Sequence, residues 1–287
     1  MKRPRLCEVR EFLEDCFYGA VNQAFVAKYC LDRMRGRYGF LKDNLALKDK
    51  HKGGRCFIIG NAPSAGEQDL KPLKDETTFF VNRAFQHPDY EYIKPTYHIL
   101  VDGKMATGVW PVSFLDEILE KNPDVTLLLS ASWYYLPQFQ PYKKKANIHW
   151  IMGTLTFTPF TRFRKIDLTR ITHSYNVVEQ GISSALYMGM KTIYFTGVEG
   201  NGLFYQLIGK DSHYYGNNAE NLTMDTREIS RSLSSGSRWL RGWCAINRYC
   251  ENHGVDLINL TRGGIMDMTR RERYEGVVER LDEAKDS

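Results

Sequence analysis

The residues best suited to chemistry follow short apolar runs. Cys56–Leu70 reads CFIIGNAPSAGEQDL: an apolar strand ends at Gly60, and Asn61, Ala62, Pro63 and Ser64 lead into a helical turn. At such a turn the backbone amides and the helix N-terminus face the carboxyl edge of a parallel sheet, a favourable place for phosphate. Gly60 permits close backbone approach. Asn61 offers an amide to a ribose, base or phosphate, and Ser64 either caps the helix or donates to a phosphate oxygen. Two later runs end in the same way, Thr78–Val81 in Asn82-Arg83 and Tyr97–Val101 in Asp102. Each polar residue alone reads equally well as a turn former or cap. Three together predict one ligand crevice at the sheet edge.

A second group lies at TIYFTGVEGNG, residues Thr192–Gly202, and at DSHYYG, residues Asp211–Gly216. The first delivers Gly197 and Glu199 to the same edge. The second carries His213, whose ordinary pKa near neutrality suits a general base for a hydroxyl nucleophile. An isolated loop histidine on the surface is the competing reading. The chain has no HExxH, no zinc-spaced Cys/His cluster, no DxD and no GxSxG, so neither a bound metal nor a serine nucleophile is expected. The Gly60 turn is also neither a Walker A loop nor a GxGxxG turn. An enzyme built on these residues works by positioning, a general base and polar stabilisation of a leaving group, with no cofactor beyond its substrate.

The elements that must position these groups alternate. Candidate strands are Cys56–Gly60, Thr78–Asn82, His98–Asp102, Val125–Ser130, Ile148–Met152, Thr192–Gly197 and Val255–Asn259. Candidate helices are Ser113–Lys121, Val177–Met188, Thr226–Asn252 and Thr269–Ala284. The alternation predicts an α/β fold, a Rossmann-like, mostly parallel sheet flanked by helices. In the long helix Trp239, Trp243, Ile246 and Cys250 recur at helical steps and mark a core face. Residues 1–54 read as an N-terminal helical appendage, one or two helices over Glu8–Met34 and then a polar linker, used for docking or homo-oligomer contact. Residues 55–287 read as the catalytic domain. A long Gly- and Asn-rich loop near 200–225, with Phe204, Tyr205, Tyr214 and Tyr215, reads as a lid.

At 287 residues, 43% hydrophobic and 25% charged, the chain has a globular composition. Its net charge of +5 suits an anionic ligand and is too small and dispersed for a nucleic-acid partner. The six cysteines form no CxxC pair, which reads as reduced thiols in a cytoplasmic protein. The start of the chain lacks a signal-peptide apolar region and no run is long enough to span a bilayer. Any membrane contact is therefore expected to be peripheral, at the inner face, through the basic runs Lys143–Lys145 and Arg162–Lys165.

The strand with GNAPS, the strand ending VNR, the unit ALYMGMKTIYFTGVE, the later DSHYYG and the run VDLINLTRGG follow one another in a familiar order. This order resembles the bacterial sialyltransferases of lipooligosaccharide synthesis and the wider 6-hydroxymethylpterin diphosphokinase-like family, over roughly Arg55 to Met268. The resemblance implies a metal-independent transferase that moves a sugar from a CMP-activated donor to a glycan or glycolipid acceptor. It implies that Gly60, Asn61 and Ser64 hold the nucleotide and phosphate, with Asn82 fixing the donor and Asp102 where those enzymes have another Asn. Ala62, Arg83, Asn176, Gly197 and Glu199 complete the implied nucleotide set, and His213 falls on the general base. There are departures. Ala62 replaces a glycine of the phosphate turn. Asn201 stands at the first of two positions where the sialyltransferases carry phosphate-steadying tyrosines, and Tyr205 is only nearby. Asn176-Val177 replaces a Thr-Ser pair, and Arg170 is the candidate phosphate-facing cation. Two other readings stay open: ATP-dependent diphosphate transfer to a pterin alcohol, with Asp102 and Glu199 toward magnesium, and a non-catalytic nucleotide-binding module of a polysaccharide locus.

Overall fold

The computed structural model describes residues 5–145, 147–216 and 225–285. Its strands are β1 (Arg55–Ile59), β2 (Thr78–Val81), β3 (Tyr97–Leu100), β4 (Thr126–Ser130), β5 (Ile148–Ile151), β6 (Gly153–Leu155), β7 (Thr172–His173), β8 (Thr192–Thr196), β9 (Asp256–Asn259) and β10 (Arg270–Arg271). The helices are α1 (Leu6–Met34), α2 (Pro63–Gly66), α3 (Tyr90–Ile93), α4 (Lys104–Thr107), α5 (Phe114–Lys121), α6 (Val177–Tyr187), α7 (Gly202–Leu207), α8 (Thr226–Asn252) and α9 (Tyr274–Lys285). Eight strands form one sheet in the order β10-β9-β8-β1-β2-β3-β4-β5, and β6 pairs separately with β7. Every neighbouring pair in the large sheet is parallel.

A parallel sheet is buried on both faces, which is why its strands read as unbroken apolar runs rather than alternating ones. Phe57 and Ile59 of β1 join one core with Leu127 and Leu129 of β4, Leu115 and Ile118 of α5, and Val277 and Leu281 of α9. Cys56 and Ile58 point the other way, into a core with Ile182 and Ala185 of α6 and Trp243, Ile246 and Cys250 of α8. The result is a Rossmann-like three-layer α/β fold. From β1 the chain winds outward through β2 to β5, then returns to place β8, β9 and β10 on β1's other side. The winding direction reverses between β1 and β8, and the carboxyl ends of two such strands leave a crevice for ligands.

The seven expected strands all form. β10 departs from the helix that the sequence predicts over Thr269–Ala284: Arg270 and Arg271 pair with Ile258 and Asn259, and α9 starts only at Tyr274. The segment expected as a polar linker before β1 is built into the fold. Leu41, Asn44 and Leu47 are buried there, and Asn44 donates to the carbonyls of Trp150 and Leu168, each at 2.8 Å. Glu8–Met34 forms part of one helix, α1. Asp15 of α1 receives Arg238 and Arg241 of α8 at 2.7 and 2.9 Å, and Asn22 exchanges two hydrogen bonds with the Thr156 backbone. The outer face of α1 leaves Leu6, Phe12, Leu13 and Phe17 exposed. Among the described residues no helix is long and apolar enough to cross a membrane.

Candidate functional site

The ladder between β1 and β8 continues past both strands: Gly60 N–H donates to Thr196 O at 2.8 Å and Ala62 N–H to Gly197 O at 3.0 Å. Both positions need glycine. A Cβ on Gly60 would overlap the Gly197 carbonyl, and Gly197 has φ of +68° with a Cβ site 2.7 Å from that of Ala65. The two backbones meet here because neither carries a side chain. Pro63 then occupies the first position of α2, where its missing N–H costs nothing.

The phosphate-friendly amide of this turn is already taken. Glu199, 4% exposed, accepts the Ser64 N–H through Oε1 at 2.9 Å. The residue at the cap position of α2 is Ala62, without a side-chain bond, so Ser64 does not cap the helix. Ser64 is buried and lines a separate pocket with Glu67 and Arg262. The Glu199 backbone is held from behind by the loop after β9: Ile265 N–H donates to its carbonyl at 2.8 Å, and Gly264, with φ of +75°, lies too close to it for any side chain. The VDLINLTRGG run thus supplies β9, between β8 and the edge strand β10, and also buttresses Glu199.

Above this floor lies a cleft of about 200 Å³, lined by Asn61, Asn82, Gly197, Glu199, Asn201 and His213 among others. Asn82 leaves β2 in the left-handed region, φ +49°, and its carbonyl accepts from His98 Nε2 at 2.8 Å. His98 Nδ1 in turn accepts the Tyr90 hydroxyl at 3.0 Å. Burial pushes the His98 pKa down to about 4, so the ring is neutral and both bonds are fixed in direction.

His213 hangs over the cleft on a turn closed by Gly216 N–H to His213 O at 3.1 Å. Ser212 Oγ lies 3.2 Å from His213 Nδ1 and helps to set the orientation of the ring. The ring stacks on Tyr215 at 5.0 Å, and Tyr215 lies over the Arg83 guanidinium at 4.3 Å. Tyr214 N–H donates to Asn61 O at 3.2 Å and its ring packs on Gly66 and edge-on to His87. The turn is therefore pinned to the Gly60 loop. Residues 217–224 of the expected lid lie outside the described residues, and its first part is helical, α7.

Asn201 and Tyr205 meet each other. The Tyr205 hydroxyl bonds to the Asn201 side chain, which favours its phenolate, but the Glu199 carboxylate beside it and burial prevail and hold its pKa above the usual range. Arg83 supports Tyr215 and bonds Gln86 at 3.2 Å, and it does not line the cleft.

A second cleft, about 390 Å³, adjoins the first and shares Asn82 and Val177 with it. Asp102 and Asn176 lie here, with Ser130, Ser174, Tyr175 and Gln180. Asp102 accepts the Lys104 N–H at 3.0 Å, and Asn176 caps α6 by accepting the Glu179 N–H at 2.9 Å. Asp102 and Glu199 therefore occupy different clefts, and each already holds a backbone amide. Arg170 lies elsewhere. It lines a groove of about 790 Å³ with Lys191 and Val255, which precede β8 and β9, so it stands at the amino edge of the sheet and pairs with Asp167 at 3.1 Å. No lysine or arginine lines either carboxyl-edge cleft among the described residues. Polar contacts to an anion there come from amides, hydroxyls and the first N–H groups of α6, which have no intrahelical partner.

Tyr175, Ser130 and Gln180 were not foreseen. Gln180 follows the expected Asn176 by one helical turn, the spacing that places two side chains on one face.

Searches for a matching family model and for a similar curated protein found none. Among solved structures, the MAf glycosyltransferase from Magnetospirillum magneticum AMB-1 is similar to this chain over 86% of its length, with 14% identity and a TM-score of 0.46. The similar region covers 41% of that structure.

Proposed function

We propose that the chain is a glycosyltransferase that uses a CMP-activated sugar and transfers it, with His213 as general base, to a hydroxyl of a glycan or glycolipid. The observation that carries this reading is the convergence of Asn61, Asn82, Asn201 and His213 on one cleft at the β1/β8 switch point. A second polar cleft, with no lysine or arginine in its lining, continues from it at Asn82.

The division of labour follows from the two clefts. The second offers Asp102 to ribose hydroxyls and Tyr175 to a base, both suited to a nucleoside. The phosphate then lies near Asn82 and the N-terminus of α6, where Val177 and Val178 present amides. That arrangement suits one phosphate better than two, because no lysine or arginine lines either cleft among the described residues. The sugar projects into the first cleft. The Asn201–Tyr205 pair donates to the departing phosphate oxygen, and the His213 imidazole takes the proton of the acceptor hydroxyl as it attacks the anomeric carbon.

The test is thermal melting with CMP, CDP, UDP, GDP and ATP. Ligand binding to the folded state at 100 times Kd adds about 2.7 kcal/mol of stability. CMP is expected to raise the melting temperature of the wild type and to lose that effect in Asn82→Ala. A panel in which no nucleotide shifts the wild type contradicts the reading.

A further inference from the structure

Gln180 has no part in the reading above, yet its surroundings set it apart from an ordinary core residue. It sits on the first turn of α6, is 1% exposed, and forms one wall of the second cleft. Its amide nitrogen has no hydrogen-bond partner among the described residues. A buried amide left without a partner costs about 1–3 kcal/mol, so a side chain kept in that state calls for a ligand.

The amide is also held in place. A Cβ on Gly153 would overlap Gln180 Oε1 and stand 2.7 Å from the Cβ of Ser174. The bare backbone of Gly153 and the Ser174 side chain together form a slot that fixes the plane of the amide. Gly153 has no left-handed φ to explain its presence; the space its missing side chain leaves to Gln180 does. Around the slot, Tyr175 is 44% exposed and available for stacking, and Asp102 and Ser130 complete a lining with no cation.

We infer that Gln180 reads the nucleobase of the bound nucleotide. This rests on the donor-site reading of the two clefts. A primary amide presents one donor beside one acceptor, and it pairs with a base edge carrying the complementary pair. Cytosine and uracil present that pair in opposite order at N3 and the 4-position. A freely rotating amide would accept both, whereas one clamped by Gly153 and Ser174 accepts one. The Gln180 slot is thus a device for telling cytosine from uracil, and with a CMP-activated donor cytosine is the base it accepts.

Calorimetric titration of CMP, UMP and ribose 5-phosphate into the full chain tests this. The wild type is expected to bind CMP tenfold or more tightly than UMP. Gln180→Leu should bind both with the weaker affinity and leave ribose 5-phosphate unchanged. Gly153→Ala, which keeps the glutamine but fills its slot, should lose the same preference, and melting curves of both variants check that they fold. A preference for CMP that survives Gln180→Leu overturns the inference alone, as does a wild type that binds ribose 5-phosphate as tightly as CMP. A wild type that binds none of the three overturns the donor-site reading together with it.

Discussion

The Glu199 carboxylate accepts the Ser64 amide proton at 2.9 Å across 135 residues of chain, and so seats a buried acid at the turn where a phosphate was expected. This contact ties the end of β8 to the start of α2 and makes the floor of the first cleft. Replacing Glu199 by Ala leaves a buried N–H without an acceptor and is expected to destabilise the fold by about 1–3 kcal/mol. Glu199→Gln keeps an oxygen in reach and should cost less. Urea unfolding of both variants checks the order; equal stabilities of Glu199→Ala and wild type would contradict it.

The close approach of Gly60 and Gly197 sets the width of the switch-point crevice. A methyl at Gly197 meets Ala65 Cβ at 2.7 Å and the Gly60 carbonyl oxygen at 2.8 Å, on a backbone with φ of +68°. Gly197→Ala is therefore expected to cost ~2 kcal/mol or more, from overlap and strained backbone together. Gly216→Ala, also left-handed at φ +87° but with open space around it, should cost less. Melting temperatures of the two variants test the difference, and a Gly197→Ala protein as stable as Gly216→Ala would refute it.

Glu179 predicts a pH dependence. Burial raises its pKa to about 8, against the smaller lowering influence of the Tyr175 N–H and of Arg238. The unfolded value is near 4.3. The folded state thus keeps a proton that the unfolded state has lost, so this group's stabilisation is full below about pH 4.3 and is lost as pH rises through about 8. The slope approaches ~1.4 kcal/mol per pH unit, the limit for one proton. Glu179→Gln should remove this contribution between pH 5 and 8. Stability curves for variant and wild type that run parallel over that range would contradict it.

Much of this architecture was legible in the residues, because strands buried on both faces leave contiguous apolar runs such as Cys56–Ile59 and Ile193–Phe195. Asn61, Asn82 and Asp102 stood out because each directly follows such a run, but whether they share one space depends on strand order. The structure puts Asn61 and Asn82 in one cleft and Asp102 in its neighbour. What stayed hidden is long-range. The sequence around Ser64 does not reveal that Glu199 fills its amide, and Arg170 follows from no local pattern to the amino edge, since its place depends on the path between β6 and β7. Arg270 and Arg271 looked helical because charge dominates their segment, and only the exposed edge of β9 makes them a strand.

Whether His213 acts as the base over a donor site, on a turn that Tyr214 pins to Asn61, is tested most directly by one measurement. Purified wild type and His213→Ala are incubated with a CMP-sugar, with and without a glycan acceptor, and CMP release is followed separately from transferred sugar. Slow donor hydrolysis that the substitution changes little is expected, with transfer reduced by about 10²–10⁴-fold. Transfer at the wild-type rate by His213→Ala would contradict it.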